Sequence, residues 1–282
     1  MLLEKPELTF SILISKIGTQ RYMKIQYASD LHLEFRANSL YLQKNPLEVN
    51  GDILVLAGDI TYMGSEAHNH HPFWDWASAH FTEVLVCPGN HEFYKGYDLA
   101  TLNDGYCEHI RPNVRRIYND IVHLDDTDII ISTLWSHIDA RNEIACAERI
   151  ADFARIAYHG DALMPADFNR EHAHCRTFLK KTLRNSTAQH KIVVTHHLPS
   201  PLLLDSQFIG SNLNDAYVAD MTDFVAGCGA DYWIYGHSHR NIHRIIGHTR
   251  CISNQLGYVH IGEKFDFNHR SSINTEDKNH WQ

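Results

Sequence analysis

The chain has 282 residues, 44% of them apolar, and carries 25 Lys plus Arg against 34 Asp plus Glu, a formal charge of −9. That length buries a substantial core and reads as one large domain. The acidic balance argues against an electrostatic grip on long nucleic acid. No apolar run approaches the roughly 20 residues that a membrane helix needs, so no membrane association is expected. The cysteines are dispersed without a C-x-x-C pair, which suggests neither a disulfide framework nor a thiolate zinc site and fits a reducing, cytoplasmic setting.

At the start, Glu4, Lys5 and Glu7 stand where an export signal would carry a basic, acid-free lead-in. Residues 1–22 are read as a peripheral extension, because the first core strand begins directly after Met23. Lys24 to Ser29 is a short apolar run that ends in Asp30-Leu31-His32. Asp52 to Ala57 is a second, ending in Gly58-Asp59, and Glu83 to Cys87 a third, followed through Pro88 by Gly89-Asn90-His91-Glu92. Runs this short suit buried strands, and the intervals between them suit strand, helix, strand crossovers. His68, His70, His71, Phe73, Trp74 and Trp76 lie between the second and third runs and read as a polar loop leading into an amphipathic helix.

Ile121 to Leu124 and Asp128 to Ser132 are further strand candidates. Asn142 to His159 has Ile144, Ala147, Ile150, Ala151 and Ala154 at helical spacing, which predicts one amphipathic helix. A second helix is predicted from about Asp167, a good cap, through Leu183. Together they form a helical insert at about 141–185. Lys191 to Thr195 then ends in His196-His197, and Asp231 to Tyr235 ends in Gly236-His237-Ser238-His239. Residues 266–282 are polar and aperiodic and read as a loose C-terminal tail.

Each cluster alone is an ordinary turn. Five of them in order at strand ends make a site, because open α/β sheets gather their chemistry at the carboxyl ends of strands. Strand alternation would put Asp30 and His32 on one side, and His237 and His239 likewise. The Asp59 carboxylate could bridge two ions. All candidate donors are oxygen or imidazole nitrogen, which suits manganese, iron or zinc.

In their order, Asp-x-His, Gly-Asp, Gly-Asn-His-Glu, a His-ended strand and Gly-His-x-His resemble the calcineurin-like metallophosphoesterase superfamily over residues 23–265. The resemblance implies an α/β fold, a four-layer α-β-β-α sandwich of two mixed β-sheets flanked by helices, with two divalent or trivalent metal ions at the strand ends. It implies that Asp30, His32 and His239 bind one ion, that Asp59 bridges, and that Asn90, His196 and His237 bind the other. His196 is preferred to His197 because it ends the strand directly. His91 would be the general acid in hydrolysis of a phosphomonoester or phosphodiester by a metal-bridging hydroxide.

The protein serine/threonine phosphatase branch resembles Gly-Asp-x-x-Asp-Arg-Gly at the second block, whereas here Ile60-Thr61-Tyr62-Met63-Gly64 follow Asp59. The phosphate-clamping arginine and the carboxylate partner of the acid histidine are both missing. A small phosphorylated substrate is therefore expected in preference to a phosphoprotein. Candidate substrate contacts are His197, Arg36, Tyr94, His71 and Asn214. Two other readings compete: a non-catalytic metal-binding scaffold of the same fold, and a nuclease that uses Arg111, Arg115 and Arg116 as a basic patch.

Overall fold

The computed structural model describes residues 23–275, so the extension expected over 1–22 lies outside the described residues. In chain order the first half contains β1 (Lys24–Ala28), α1 (Arg36–Lys44), β2 (Ile53–Ala57), α2 (Glu66–Asn69), α3 (Pro72–His80), β3 (Glu83–Cys87), β4 (Tyr106–Arg111) and β5 (Val114–Tyr118). The second half begins with β6 (Asp120–Leu124) and β7 (Thr127–Ser132). It continues through α4 (Glu143–Arg149), α5 (Asp152–Arg155), β8 (Ala157–Tyr158), β9 (Asp161–Ala162) and α6 (Pro165–Asn185). It closes with β10 (His190–Thr195), α7 (Thr222–Gly227), β11 (Tyr232–Tyr235), β12 (Arg244–Ile246), β13 (Thr249–Ser253) and β14 (Ser272–Asn274).

Two six-stranded mixed sheets result, in the orders β14-β1-β2-β3-β5-β4 and β12-β13-β11-β10-β7-β6. Each has four parallel central strands with an antiparallel strand on either edge. The central strands are apolar on both faces because both faces are covered. Ile25, Val55 and Leu85 of one sheet meet Ile129, Ile131, Ile192 and Ile234 of the other in a shared core. The alternate residues Leu54, Leu56 and Val84 pack outward on Trp74 and Ala77 of α3. On the far side, Ile130, Val193 and Trp233 pack on Leu179 and Leu183 of α6 and Val225 of α7. These are the four layers expected from the sequence.

Three expectations need correction. The helix over 142–159 is broken: α4 stops at Ile150, whose backbone turns extended, and α5 restarts for a single turn. A straight helix would have buried Ile144 and Ala154. Instead Ile144 is exposed, and Phe153 and Ile156 turn inward to join Tyr94, Trp135 and Phe168 in an apolar cluster under the insert. Asp167 is not the cap of α6 but its third residue, where its carboxylate accepts from the Met164 N–H at 3.1 Å. The tail expected over 266–282 is not loose as far as residue 275: β14 pairs with β1 and sends Ile273 into the shared core. Pairing there covers an otherwise open sheet edge, and only residues 276–282 lie beyond the described chain.

Candidate metal centre

The turns that follow β1, β2, β3, β10 and β11 converge, as the strand-end argument expects. Their local geometry is different from the expected one. Asp30, His32, Asp59, His237 and His239 all have positive φ, between 46° and 76°. A non-glycine residue is strained there, by about 1–3 kcal/mol. Asp30 and His32 thus meet in one group although both leave the extended backbone that strand alternation requires. The turns are locked together: Asp30 N–H donates to the Gly58 carbonyl and His32 N–H to that of Asp59, each at 2.9 Å. The Asp30 carboxylate accepts from the His237 N–H at 3.0 Å.

Buried Glu92 ties two of the turns by accepting from the N–H groups of Gly89 (2.7 Å), Asp59 (2.9 Å) and Ile60 (2.8 Å). Burial, with the Asp59 charge beside it, raises its pKa to about 7. Gly89 permits the close approach: a Cβ there would lie 2.2 Å from Asp59 Oδ1.

Among the described residues, possible ligand atoms form two clusters at this end of the sandwich, Asp30, His32 and His239, and Asp59, His196 and His237, with a third group, His32, Glu34 and His91, adjoining the first through His32. In the first, His32 Nδ1 faces Glu34 at 3.0 Å and His239 Nδ1 faces Glu263 at 2.7 Å. A carboxylate accepts only, so both Nδ1 atoms donate and both Nε2 atoms carry lone pairs. Yet the two Nε2 atoms stand 3.0 Å apart, with Asp30 Oδ1 3.4 Å from that of His239. Lone pairs converging in this way require a proton or a cation between them.

The second cluster repeats the pattern. His196 Nδ1 donates to the Ala57 carbonyl at 2.9 Å, leaving Nε2 3.0 Å from Asn90 Oδ1 and 3.3 Å from Asp59 Oδ1. His237 Nε2 lies 3.3 Å from the Ala216 carbonyl, which leaves Nδ1 as its ligand atom. Asp59 belongs to the second cluster and also faces the first, with its other oxygen 3.7 Å from His32 Nε2. The donor set fits two cations.

The electrostatics agree. Burial opposes charge on His196, but Asp59 outweighs it and raises the pKa to about 9. Burial likewise opposes charge on His239, but hydrogen bonds to Asp30 and Glu263 raise it to about 10. Asp59 is held well below the usual carboxylate range because neighbouring imidazoles, His196 first, outweigh its burial. Burial and the adjacent imidazoles of His197 and His196 push His237 well below normal. The raised values at His196 and His239 show that each cluster favours one positive charge.

His91 lies beside both clusters, its N–H donating to Asp59 Oδ1 at 2.9 Å. Its Nδ1 is 2.9 Å from Glu34 and its Nε2 3.2 Å from the Tyr258 hydroxyl. His197 is fully buried against Trp135 and His237 and joins no cluster. The Tyr94 hydroxyl donates to Asp152 at 2.6 Å inside the fold, although its ring packs on His91. His71 caps α3 and bonds Ser39. Arg36 is exposed at the start of α1. Asn214 bonds the Phe208 carbonyl, and the site is reached from that loop by Ala216 and Tyr217 instead. Arg111, Arg115 and Arg116 are paired with Asp75, Glu83 and Glu108 and form no free basic patch.

Glu34, Asp152, Tyr258 and Glu263 are site residues that the sequence reading did not single out. Glu34 had a signal, since Asp30, His32 and Glu34 recur at every second position. Glu263 and Tyr258 reach the site from beyond β13, and Asp152 from the insert, with no local pattern to mark them.

A two-sheet sandwich with paired oxygen and imidazole clusters at its strand ends is the arrangement of a metallophosphoesterase. The chain belongs to the calcineurin-like phosphoesterase family, whose profile matches residues 23–241. It is similar to an uncharacterized protein, L509, of Acanthamoeba polyphaga mimivirus, at 29% identity over 271 residues, covering 86% of this chain and 94% of that one. Among solved structures it is similar in fold to the phosphopantetheinyl hydrolase PptH from Mycobacterium tuberculosis, with a TM-score of 0.65 at 15% identity, covering 92% of this chain and 98% of that one. Among the described residues, no helix is long and apolar enough to cross a membrane.

Proposed function

We propose that the protein hydrolyses a small phosphomonoester or phosphodiester at a two-metal centre. The observation that carries this reading is the sharing of Asp59 between two clusters whose imidazole lone pairs converge. Asp30, His32 and His239 would hold one ion, Asn90, His196 and His237 the other, with Asp59 between them. Manganese, iron or zinc suits these donors. Such ions, when bound, polarise phosphoryl oxygens and acidify water to a nucleophile at neutral pH.

The chain's own residues do the rest. Glu34, Glu263 and the Ala57 and Ala216 carbonyls fix the tautomer of each ligand imidazole. His91 holds a proton at Nε2 for the departing oxygen, beside the Tyr258 hydroxyl. The pairing of Arg111, Arg115 and Arg116 with acidic partners supports a small substrate over a nucleic acid. In the test, Asn90→Ala protein that folds normally loses metal-stimulated hydrolysis of p-nitrophenyl phosphate and its diester. Full turnover by that variant would contradict the assignment.

A further inference from the structure

We propose that Glu34 is the positioning carboxylate of this site: it holds His91 with Nε2 turned to the leaving group, and so suits the site to phosphoesters of alcohols. The inference rests on the phosphoesterase reading above. One oxygen of Glu34, Oε1, lies 3.0 Å from His32 Nδ1 and 2.9 Å from His91 Nδ1. The side chain has no exposed surface, and Oε2 is buried without a hydrogen-bond partner. A buried carboxylate with a bare oxygen costs free energy, and it is a feature to be explained by what the group holds.

It holds two rings at once. Because the carboxylate only accepts, both rings keep a proton on Nδ1 and turn Nε2 outward, and His91 acts as the imidazolium, with a second proton on Nε2. For His32 the outward atom faces the Asp30 and His239 cluster, and for His91 it faces the Tyr258 hydroxyl. Ring packing confines His91 further, with the His32 centroid at 4.4 Å edge-on and that of Tyr94 at 4.3 Å in a tilted contact. The acid is thereby kept in register with a metal ligand through a single atom.

The chemistry balances as follows. Water forms the new P–O bond and loses a proton to solvent, while the bond to the ester oxygen breaks with its electron pair. That oxygen takes the Nε2 proton of His91 and leaves as a neutral alcohol. The imidazole keeps its Nδ1 proton, still donated to Glu34. An alkoxide is too basic to leave without that proton, whereas p-nitrophenolate leaves unaided.

The test compares ethyl and p-nitrophenyl esters, each as a phosphate monoester and as a methyl diester, on manganese-loaded protein. Glu34→Gln is expected to lower kcat about a hundredfold on the ethyl ester and less than about tenfold on the p-nitrophenyl ester. His91→Ala should show the same selective loss, and adding Glu34→Gln to it should leave the ester ratio where it was. At saturating manganese, with equal metal content in variant and wild type, equal slowing of both esters by Glu34→Gln would overturn the proposal. A second readout needs no turnover: in zinc-loaded protein with 15N-labelled histidine, at alkaline pH, His32 and His91 carry their protons on Nδ1, and Glu34→Ala releases His91 to a mixture of tautomers. A wild-type His91 protonated on Nε2 instead would overturn it. If the wild type hydrolyses neither ester, the phosphoesterase reading falls, and the tautomers still decide what Glu34 holds.

Discussion

The two donor clusters are built from the same residue types but supported differently. In the first, both imidazoles are backed by carboxylates, Glu34 and Glu263. In the second they are backed by the neutral carbonyls of Ala57 and Ala216, and the amide ligand Asn90 is anchored by Asp152 at 2.8 Å. A carboxylate behind an imidazole makes it a more basic ligand and adds charge to the site. On the two-metal reading, the first cluster is expected to bind its ion more tightly, and the second to depend on the insert for its geometry.

The largest effect is expected where the clusters join. Asp59→Ala removes the shared carboxylate and should cost both ions and all metal-stimulated hydrolysis, read by metal content after desalting and by turnover. Retention of both ions would separate the clusters and break the comparison. Next, Glu263→Gln should weaken one ion about 10–100-fold by calorimetric titration and leave the other unchanged. Asp152→Ala should weaken the opposite ion, by about tenfold, because Asn90 loses its anchor. Weakening of the same ion by both variants would contradict the division of support.

A smaller effect is expected from pH. Each ion must displace a proton, from His239 with a pKa of about 10 and from His196 with a pKa of about 9. Apparent affinity for both ions should fall as pH falls. On raising the pH, the second cluster should level off above about pH 9 and the first above about pH 10. Affinity that rises toward acid pH would reverse the sign and exclude displaced protons.

The same contrast separates what was legible in the sequence from what was not. The central strands β1, β2, β3, β7, β10 and β11 announced themselves because strands buried on both faces are short continuous apolar runs, and the turns after five of them carry the candidate ligands, whereas central β5, interrupted by Arg115 and Arg116, and β13 were not singled out. Edge strands such as β4, whose residues alternate between exposed and half-buried, gave no such run, and β14 looked like a tail. Residues that bind belong to local motifs, whereas the groups behind them come from wherever the fold supplies a partner. Glu263 stands 24 positions from His239, and Asp152 stands 62 from Asn90. The carboxylate partner missing after Asp59 is present after all, in Glu34, at a position the second block could not reveal. The left-handed backbone at Asp30, His32, Asp59, His237 and His239 was also invisible, since even Asp and His, the non-glycine types enriched there, adopt it at only a small share of positions.

Two ions sharing one carboxylate is the central claim, and a manganese titration of metal-free protein followed by hydrolysis of bis(p-nitrophenyl) phosphate and p-nitrophenyl phosphate tests it directly. Activity should be absent without metal, rise with upward curvature, and saturate at two equivalents. Saturation at one equivalent, or full hydrolysis by the metal-free protein, would contradict the two-metal centre.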